Sequence, residues 1–139
     1  MVIDTSALMA ILFDEPERAS FASAIESDPR RLVSGASLLE ATLVVESRFG
    51  EPGGRELDLL LHRINASVVD VTGEQIEMAR EAWREFGKGH HRAALNFGDC
   101  FSYALARHSG EPLLFKGDDF GHTDVSSVPT EPIPNRSAR

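Results

Sequence analysis

The apolar positions of this chain fall into short blocks set between longer stretches of helical spacing. Met1-Val2-Ile3-Asp4 reads as a short buried strand, and Thr5 to Phe13 as a helix that Thr5 or Ser6 can cap. Asp14-Glu15-Pro16 breaks that helix, and Glu17 to Ser27 predicts a second one, closed by Asp28-Pro29. Leu32-Val33-Ser34 predicts a second strand. From Ala36 to Phe49 the apolar residues are nearly continuous, which predicts a buried helix ending at Gly50, with Pro52-Gly53-Gly54 as a loop beyond it. Arg55 to Asn65 is amphipathic, with Leu57, Leu60, Leu61 and Ile64 on one face. Ser67 to Val71 has the β-branched content of a third strand, and the next helix starts at Thr72 or Gly73, with Ile76, Ala79, Trp83 and Phe86 along one side. Gly87 to Ala94 is a loop rich in Gly, His, Lys and Arg. Phe97 to His108 predicts a last helix, closed by Gly110, followed by a strand at Pro112 to Phe115 and a weak fifth strand at Val125 to Val128. Residues 129–139, with Pro129, Pro132 and Pro134, predict a frayed tail.

Strands separated by helices imply an α/β fold in which a mostly parallel sheet carries helices on both faces. In such sheets ligands bind outside the carboxyl ends of the strands. Asp4 and the pair Asp118-Asp119 lie at the ends of the first and fourth strands, on that edge. Glu40 and Asp99 lie near the starts of helices that follow a strand or a loop, so they can reach the same edge.

Each acid also has an ordinary explanation. Asp4 can cap the first helix, Asp99 can be a first-turn acid favoured by the helix dipole, and Asp118 and Asp119 can be turn residues. Glu40 is harder to explain away. It shares a helix face with Ala36, Leu43, Val44 and Ser47, where a carboxylate is unfavourable unless paired or metal-bound; Glu46 is a less convincing competitor. Gathered carboxylates raise one another's pKa, and a hard divalent cation with oxygen ligands relieves that strain. Zinc spacing is missing, since His90 and His91 are adjacent and His62, His108 and His122 are scattered.

Composition sets the frame. A length of 139 residues, 42% of them hydrophobic and 26% charged, predicts one domain over residues 1–128 plus the tail at 129–139. Cys100 is the single cysteine, and the apolar start contains Asp4 and lacks a basic leader, so a reducing cytoplasm is the expected home. No apolar run approaches the roughly 20 residues that span a bilayer, so no membrane partner is expected. The net charge of −8 argues against a wholesale basic surface for nucleic acid, which leaves a local basic patch to be found. Arg80, Arg84 and Lys88 recur every four residues and are followed by His90, His91 and Arg92. Their ordinary explanation is surface pairing, because Glu77, Glu81 and Glu85 each stand three residues before a basic one. Lys116 can neutralise a carboxylate or meet a phosphate. Aromatic residues for stacking bases are sparse.

Three stretches, VIDTSAL at the start, GDCFSYALA late in the chain and LLFKGDDFGHTDV before the tail, resemble the PIN-domain ribonucleases, specifically the VapC-like toxins of bacterial toxin–antitoxin pairs. The resemblance runs from Met1 to about Val128. It implies a three-layer α/β/α sandwich and an endoribonuclease dependent on Mg²⁺ or Mn²⁺, with a metal-activated water cleaving the RNA phosphodiester. By motif position Asp4, Glu40 and Asp99 match three of the family's acids, and Thr5 or Ser6 matches its hydroxyl. Many PIN domains end the late strand with Asn-Asp-x-Asp-Phe, whereas Lys116-Gly117-Asp118-Asp119-Phe120 puts Gly117 at the first Asp position, which favours Asp119 over Asp118 as the fourth acid. Asp4 and Asp99 are then the direct metal ligands. Glu40 and Asp119 bind through water, orient the nucleophile or help a second ion. The resemblance also implies a homodimer and a cognate antitoxin whose basic, disordered segment enters the acidic cleft, giving a hetero-oligomer.

Two other classes compete. A Rossmann-like metal-dependent phosphatase of the haloacid-dehalogenase type also begins with an Asp after a strand, but needs a second Asp two residues later, where Ser6 stands. A non-catalytic binding module, with the acids serving only as caps, is the other.

Overall fold

The computed structural model describes residues 1–133. In chain order these form β1 (Val2–Ile3), α1 (Thr5–Leu12), α2 (Arg18–Ser27), β2 (Leu32–Ser34), α3 (Gly35–Phe49), α4 (Glu51–Arg63), β3 (Ser67–Val69), α5 (Gly73–Phe86), α6 (Phe97–Ser109) and β4 (Leu113–Leu114), with a short 3₁₀ turn at Phe120–His122. The sheet has the order β3-β2-β1-β4, and every pairing is parallel, with Val2 opposite Leu32 and Leu113, and Val33 opposite Val68.

The strands are short but alternate strictly, and this creates the three layers. Met1, Ile3, Val33 and Leu114 point to one face, where they meet Ala7, Leu8, Ala41, Val45, Leu57 and Leu61 from α1, α3 and α4. Val2, Leu32 and Leu113 point to the other, where Ala79, Ala82 and Phe86 of α5 and Tyr103 to Ala106 of α6 cover them. A period of two in the strands against 3.6 in the helices thus sorts one short sequence block into two cores. The sheet is the shared wall of both.

Because all four strands run the same way, their carboxyl ends share one edge. Asp4 caps α1 there and Ser34 caps α3, each accepting a backbone N–H two residues on. At the opposite edge the Met1 ammonium is buried between Asp28 Oδ2 (2.8 Å), Glu111 Oε2 (2.9 Å) and the Arg30 carbonyl (2.7 Å). That hydrogen bond holds both carboxyls below their ordinary range.

Four expectations need correction. Pro52-Gly53-Gly54 is not a loop: α4 starts at Glu51, with Pro52 in its first turn, where the missing N–H costs nothing. Helix α3 is not buried all round, since Leu39, Leu43 and Val44 are exposed; its continuous apolar run covers a core face and a surface face alike. The third strand stops at Val69, short of Val71. In place of a fifth strand there is a single parallel bridge between Leu113 and Ser127, because the segment from Val125 pairs only at that point. The expected frayed tail is partly described, with Val128 to Glu131 lining a cleft beside α2 and Met1; residues 134–139 lie outside the described residues.

Gly53 explains how α4 starts so close to α3. A methyl group there would sit 2.6 Å from Val45 Cγ1 and 3.0 Å from Phe49 Cβ. Replacing an internal helix glycine by alanine normally gains about 1 kcal/mol. Overpacking a close helix contact costs about 1–3 kcal/mol, so the clash should win. Gly53→Ala is therefore expected to lower unfolding stability by up to about 2 kcal/mol in urea denaturation; a gain would show that α3 and α4 separate freely.

Candidate active site

The Asp4 carboxylate is buried at the carboxyl end of β1, and three donors converge on it. Ser6 supplies its backbone N–H (3.0 Å) and its hydroxyl (2.6 Å) to Oδ2, and Ser102 supplies its hydroxyl to Oδ1 (2.5 Å). The Ser102 proton is thereby used, so in the 3.1 Å contact between Ser37 and Ser102 it is Ser37 that donates. Thr5 donates to the Ser37 carbonyl, and the Lys116 backbone N–H donates to the Ser6 oxygen. A carboxylate offers about four lone-pair positions. Two on Oδ2 and one on Oδ1 are filled, which leaves one on Oδ1 without a donor among the described residues.

Asp99 sits in the first turn of α6 and completes a capping box with Asn96: the Asn96 side chain accepts the Asp99 N–H (2.9 Å), and the Asp99 carboxylate accepts the Asn96 N–H (3.0 Å). Burial pushes the Asp99 carboxyl up to about 6, and the negative charges of Asp4, Asp119 and Glu40 push it the same way, opposed by the Asn96 hydrogen bond. Acids from the end of β1, from α3 and from the segment after β4 thus act on Asp99 of α6.

Glu40 reaches this edge because Gly98 has no side chain. Its carboxylate lies directly against Gly98, in the space that a Cβ there would take. Asp118 and Asp119 are exposed, on the turn that follows Gly117 (φ 96°) and precedes the buried Phe120.

Most of the predicted basic residues have partners of their own. Arg80 pairs with Glu77 at 2.9 Å, the surface pairing that the spacing allowed. Arg80 and Arg84 line an apolar groove of about 450 Å³ between α5 and α6, together with Ile76, Trp83, Phe97 and Phe101. Phe97, Cys100 and Phe101 face that groove, whereas Gly98 and Ser102 face Glu40 and Asp4 on another side of α6. His90 stands edge-on to Trp83, and His91 edge-on to Phe86 with its Nδ1 accepting the Ala93 N–H; Arg92 is exposed. Lys116 is held by Glu15 and Glu17.

Sequence reasoning missed Ser37, Ser102 and Asn96. The signal was present in two of them: Ser37 stands three residues before Glu40 and Ser102 three after Asp99, each a small polar residue sharing a helix side with an acid.

Among the described residues no three acid, histidine or cysteine side chains close into a ready-made metal cage. The acids instead ring an open edge. Their chemistry suits a hard cation that keeps several waters: oxygen donors only, a free Asp4 lone pair, and an Asp99 carboxyl raised by burial and by its acidic neighbours.

Comparison with known proteins gives the family and the fold. Residues 1–126 match the family profile of the PIN domain. The chain is 62% identical over 128 residues to the ribonuclease VapC30 of Mycobacterium tuberculosis, covering 92% of this chain and 98% of that protein. It is 61% identical to the ribonuclease VapC of Mycolicibacterium smegmatis, covering 92% and 99%. Among solved structures, the sarcin-ricin loop cleaving toxin VapC20 of Mycobacterium tuberculosis superposes with a TM-score of 0.75 at 19% identity, over 94% of this chain and 98% of that one. VapBC2 from Rickettsia felis, bound to a DNA fragment from its promoter, gives 0.76 at 14% identity over the same shares. At those identities the structural likeness speaks for the fold.

Removing one neighbouring charge should release Asp99. With Glu40→Gln the Asp99 midpoint, followed by carboxyl-carbon NMR, is expected to move down from about 6, while burial, Asp4 and Asp119 still hold it above 3.8. The sign matters for stability: a raised carboxyl costs nothing while protonated in both states, and its penalty grows as pH rises through 3.8 toward about 6. An unmoved midpoint in Glu40→Gln would mean that the Glu40 charge does not act on Asp99.

Proposed function

The chain belongs to the PIN-domain family, within its VapC ribonucleases, and from that premise we propose that it is a divalent-metal-dependent endoribonuclease acting as the toxin of a toxin–antitoxin pair. The observation that carries this reading is the meeting of Asp4, Glu40, Asp99 and Asp119 at one sheet edge, where the other three raise Asp99. Asp4 and Asp99 are the residues that would hold Mg²⁺ or Mn²⁺ directly, Asp4 through its remaining Oδ1 lone pair. Glu40 and Asp119 would hold water or orient it for attack on the phosphodiester. Ser6 and Ser102 fix the Asp4 carboxylate, and Ser37 fixes Ser102. When bound, the ion supplies polarisation of the phosphate and a lowered pKa for water.

Ser6, at the position where the phosphatase alternative needs a general acid, spends its hydroxyl proton on Asp4. The binding-module alternative explains Asp4 and Asp99, which serve the N-termini of α1 and α6, but leaves Glu40, inside α3, with no cap to serve.

Cleavage of RNA by protein freed of antitoxin should require Mg²⁺ or Mn²⁺ and stop on addition of EDTA. Asp4→Asn and Asp99→Asn should each lower it by more than about 100-fold, the upper end of what losing a supporting partner costs. Normal cleavage by both would falsify the metal-site reading. Asp119→Asn should cost far more than Asp118→Asn; equal, negligible losses would remove that turn from the mechanism.

Two protein partners complete the proposal. The acidic edge and the net charge of −8 suit a basic antitoxin segment. A second copy suits the α5/α6 groove, because Glu77, Glu81 and Glu85 alternate with Arg80 and Arg84 beside the exposed Trp83. Two α5 helices packed about a two-fold axis can set each acid against the other's base. Trp83→Glu should then convert a dimer to a monomer in light scattering; an unchanged mass would place the homodimer contact elsewhere.

A further inference from the structure

Lys116 takes the first of its two expected uses, neutralising carboxylates, with Glu15 and Glu17. It follows β4 directly and is tied down at two points. Its backbone N–H donates to Ser6 Oγ at 2.9 Å, and that hydroxyl donates to Asp4 Oδ2 at 2.6 Å. Its side chain runs the other way, to the turn between α1 and α2, where Nζ is 2.6 Å from Glu15 Oε2 and 3.3 Å from Glu17 Oε2. Beyond it Gly117 turns the chain in the left-handed region, Asp118 and Asp119 follow, and Phe120 is buried against the Phe115 ring at 5.2 Å. The acid-bearing turn is thus pinned at both ends.

Glu17 shows that this is more than a surface ion pair. It stands at the N-cap of α2 yet makes no capping hydrogen bond with its side chain. Its Oε2 is shielded from water and has no hydrogen-bond partner, so the Lys116 charge is what compensates it. One ammonium meeting two carboxylates has no surplus charge for a phosphate.

We propose that Glu15, Glu17 and Lys116 form a clamp that positions the Asp118-Asp119 turn against Asp4, with Lys116 a positioning residue and not an RNA contact. This rests on the nuclease reading for its kinetic consequence, though not for its structural one. The clamp couples the α1–α2 turn to the fourth acid, through a residue that also braces the first. Small displacements of a reacting group reduce turnover more than they reduce binding.

The test is the Glu15→Gln/Glu17→Gln double variant beside Lys116→Met and Lys116→Arg, each checked for folding by denaturation. If the clamp positions the turn, the double variant lowers kcat about tenfold with KM within about threefold, Lys116→Met does the same, and Lys116→Arg largely restores turnover. If Lys116 instead touches RNA, freeing it in the double variant leaves kcat intact or lowers KM. Lys116→Met would then raise KM and reduce the salt dependence of binding by about one counterion, which overturns the proposal. Should Lys116→Met fail to fold, the double variant carries the test. Hydrogen exchange gives a readout independent of activity: the amides of Gly117, Asp118 and Asp119 should exchange about tenfold faster in the double variant. Unchanged exchange there overturns the clamp. Absence of RNA cleavage by the unmodified protein counts against the nuclease reading and leaves the exchange result standing.

Discussion

A buried carboxylate that must be matched by donors is the constraint around which this molecule is arranged. Asp4 stands at the centre of the sheet's carboxyl edge, and removing it from water without partners would cost several kcal/mol. The partners come from α1 through Ser6 and from α6 through Ser102, with α3 behind them through Ser37 and the segment after β4 through Lys116. Four separate parts of the chain therefore have to arrive together before that desolvation is compensated. Two hydrophobic cores bring the layers into contact, but apolar packing is non-directional. The hydroxyl relay supplies the register that packing leaves open.

The same hydrogen bonds show why the ordinary and the functional explanations of the acids are not rivals. Asp4 does cap α1 and Asp99 does complete a capping box. A cap fixes the carboxylate's position and orientation, which is what a ligand to a hard cation needs. What distinguishes these caps from others is their neighbours. Ser34 caps a helix with no acid in its first turn, whereas Asp99 is held by its capping box in the field of three more carboxylates. Folding stability is spent there in holding like charges together, and it is recovered through hydroxyl and backbone donors that carry no net charge.

Much of this arrangement was legible in the sequence, and the reasons differ by element. The strand blocks at Val2, Leu32 and Leu113 are bounded by acids, serines or prolines, and their alternation fixed both faces of the sheet. Asp4, Asp99 and Glu40 stood out because an acid on an apolar frame is conspicuous. Helix α4 was missed at its start because Pro and Gly are read as breakers, while Pro at a first turn and Gly53 at a tight helix contact obey packing instead. The exposed side of α3 was missed because hydrophobicity does not tell a core face from a face awaiting a partner. The relay serines were missed because a serine carries almost no pattern signal of its own. Nor could spacing reveal that Lys116 turns toward Glu15 and Glu17, residues a hundred positions away in the chain.

The disposition of cations gives the acidic edge its meaning. Lys116 is bound by two carboxylates, Arg80 by Glu77, Arg30 by Glu111 and Arg107 by Asp124. Arg48 lies over the Phe13 and Phe49 rings, and Arg31 is spent on backbone carbonyls. Against the burial and repulsion that raise Asp99, the opposing influence is a neutral backbone N–H from Asn96. Among the described residues no lysine or arginine stands with the groups that act on Asp99, so the positive charge these acids call for is not supplied from there. On the proposed reading two sources answer that demand, a divalent ion and a basic antitoxin segment. They answer it at the same oxygens, so occupation by one weakens the case for the other. Inhibition by a basic peptide then needs no separate regulatory site: a charge deficit left by folding can serve catalysis and its control alike.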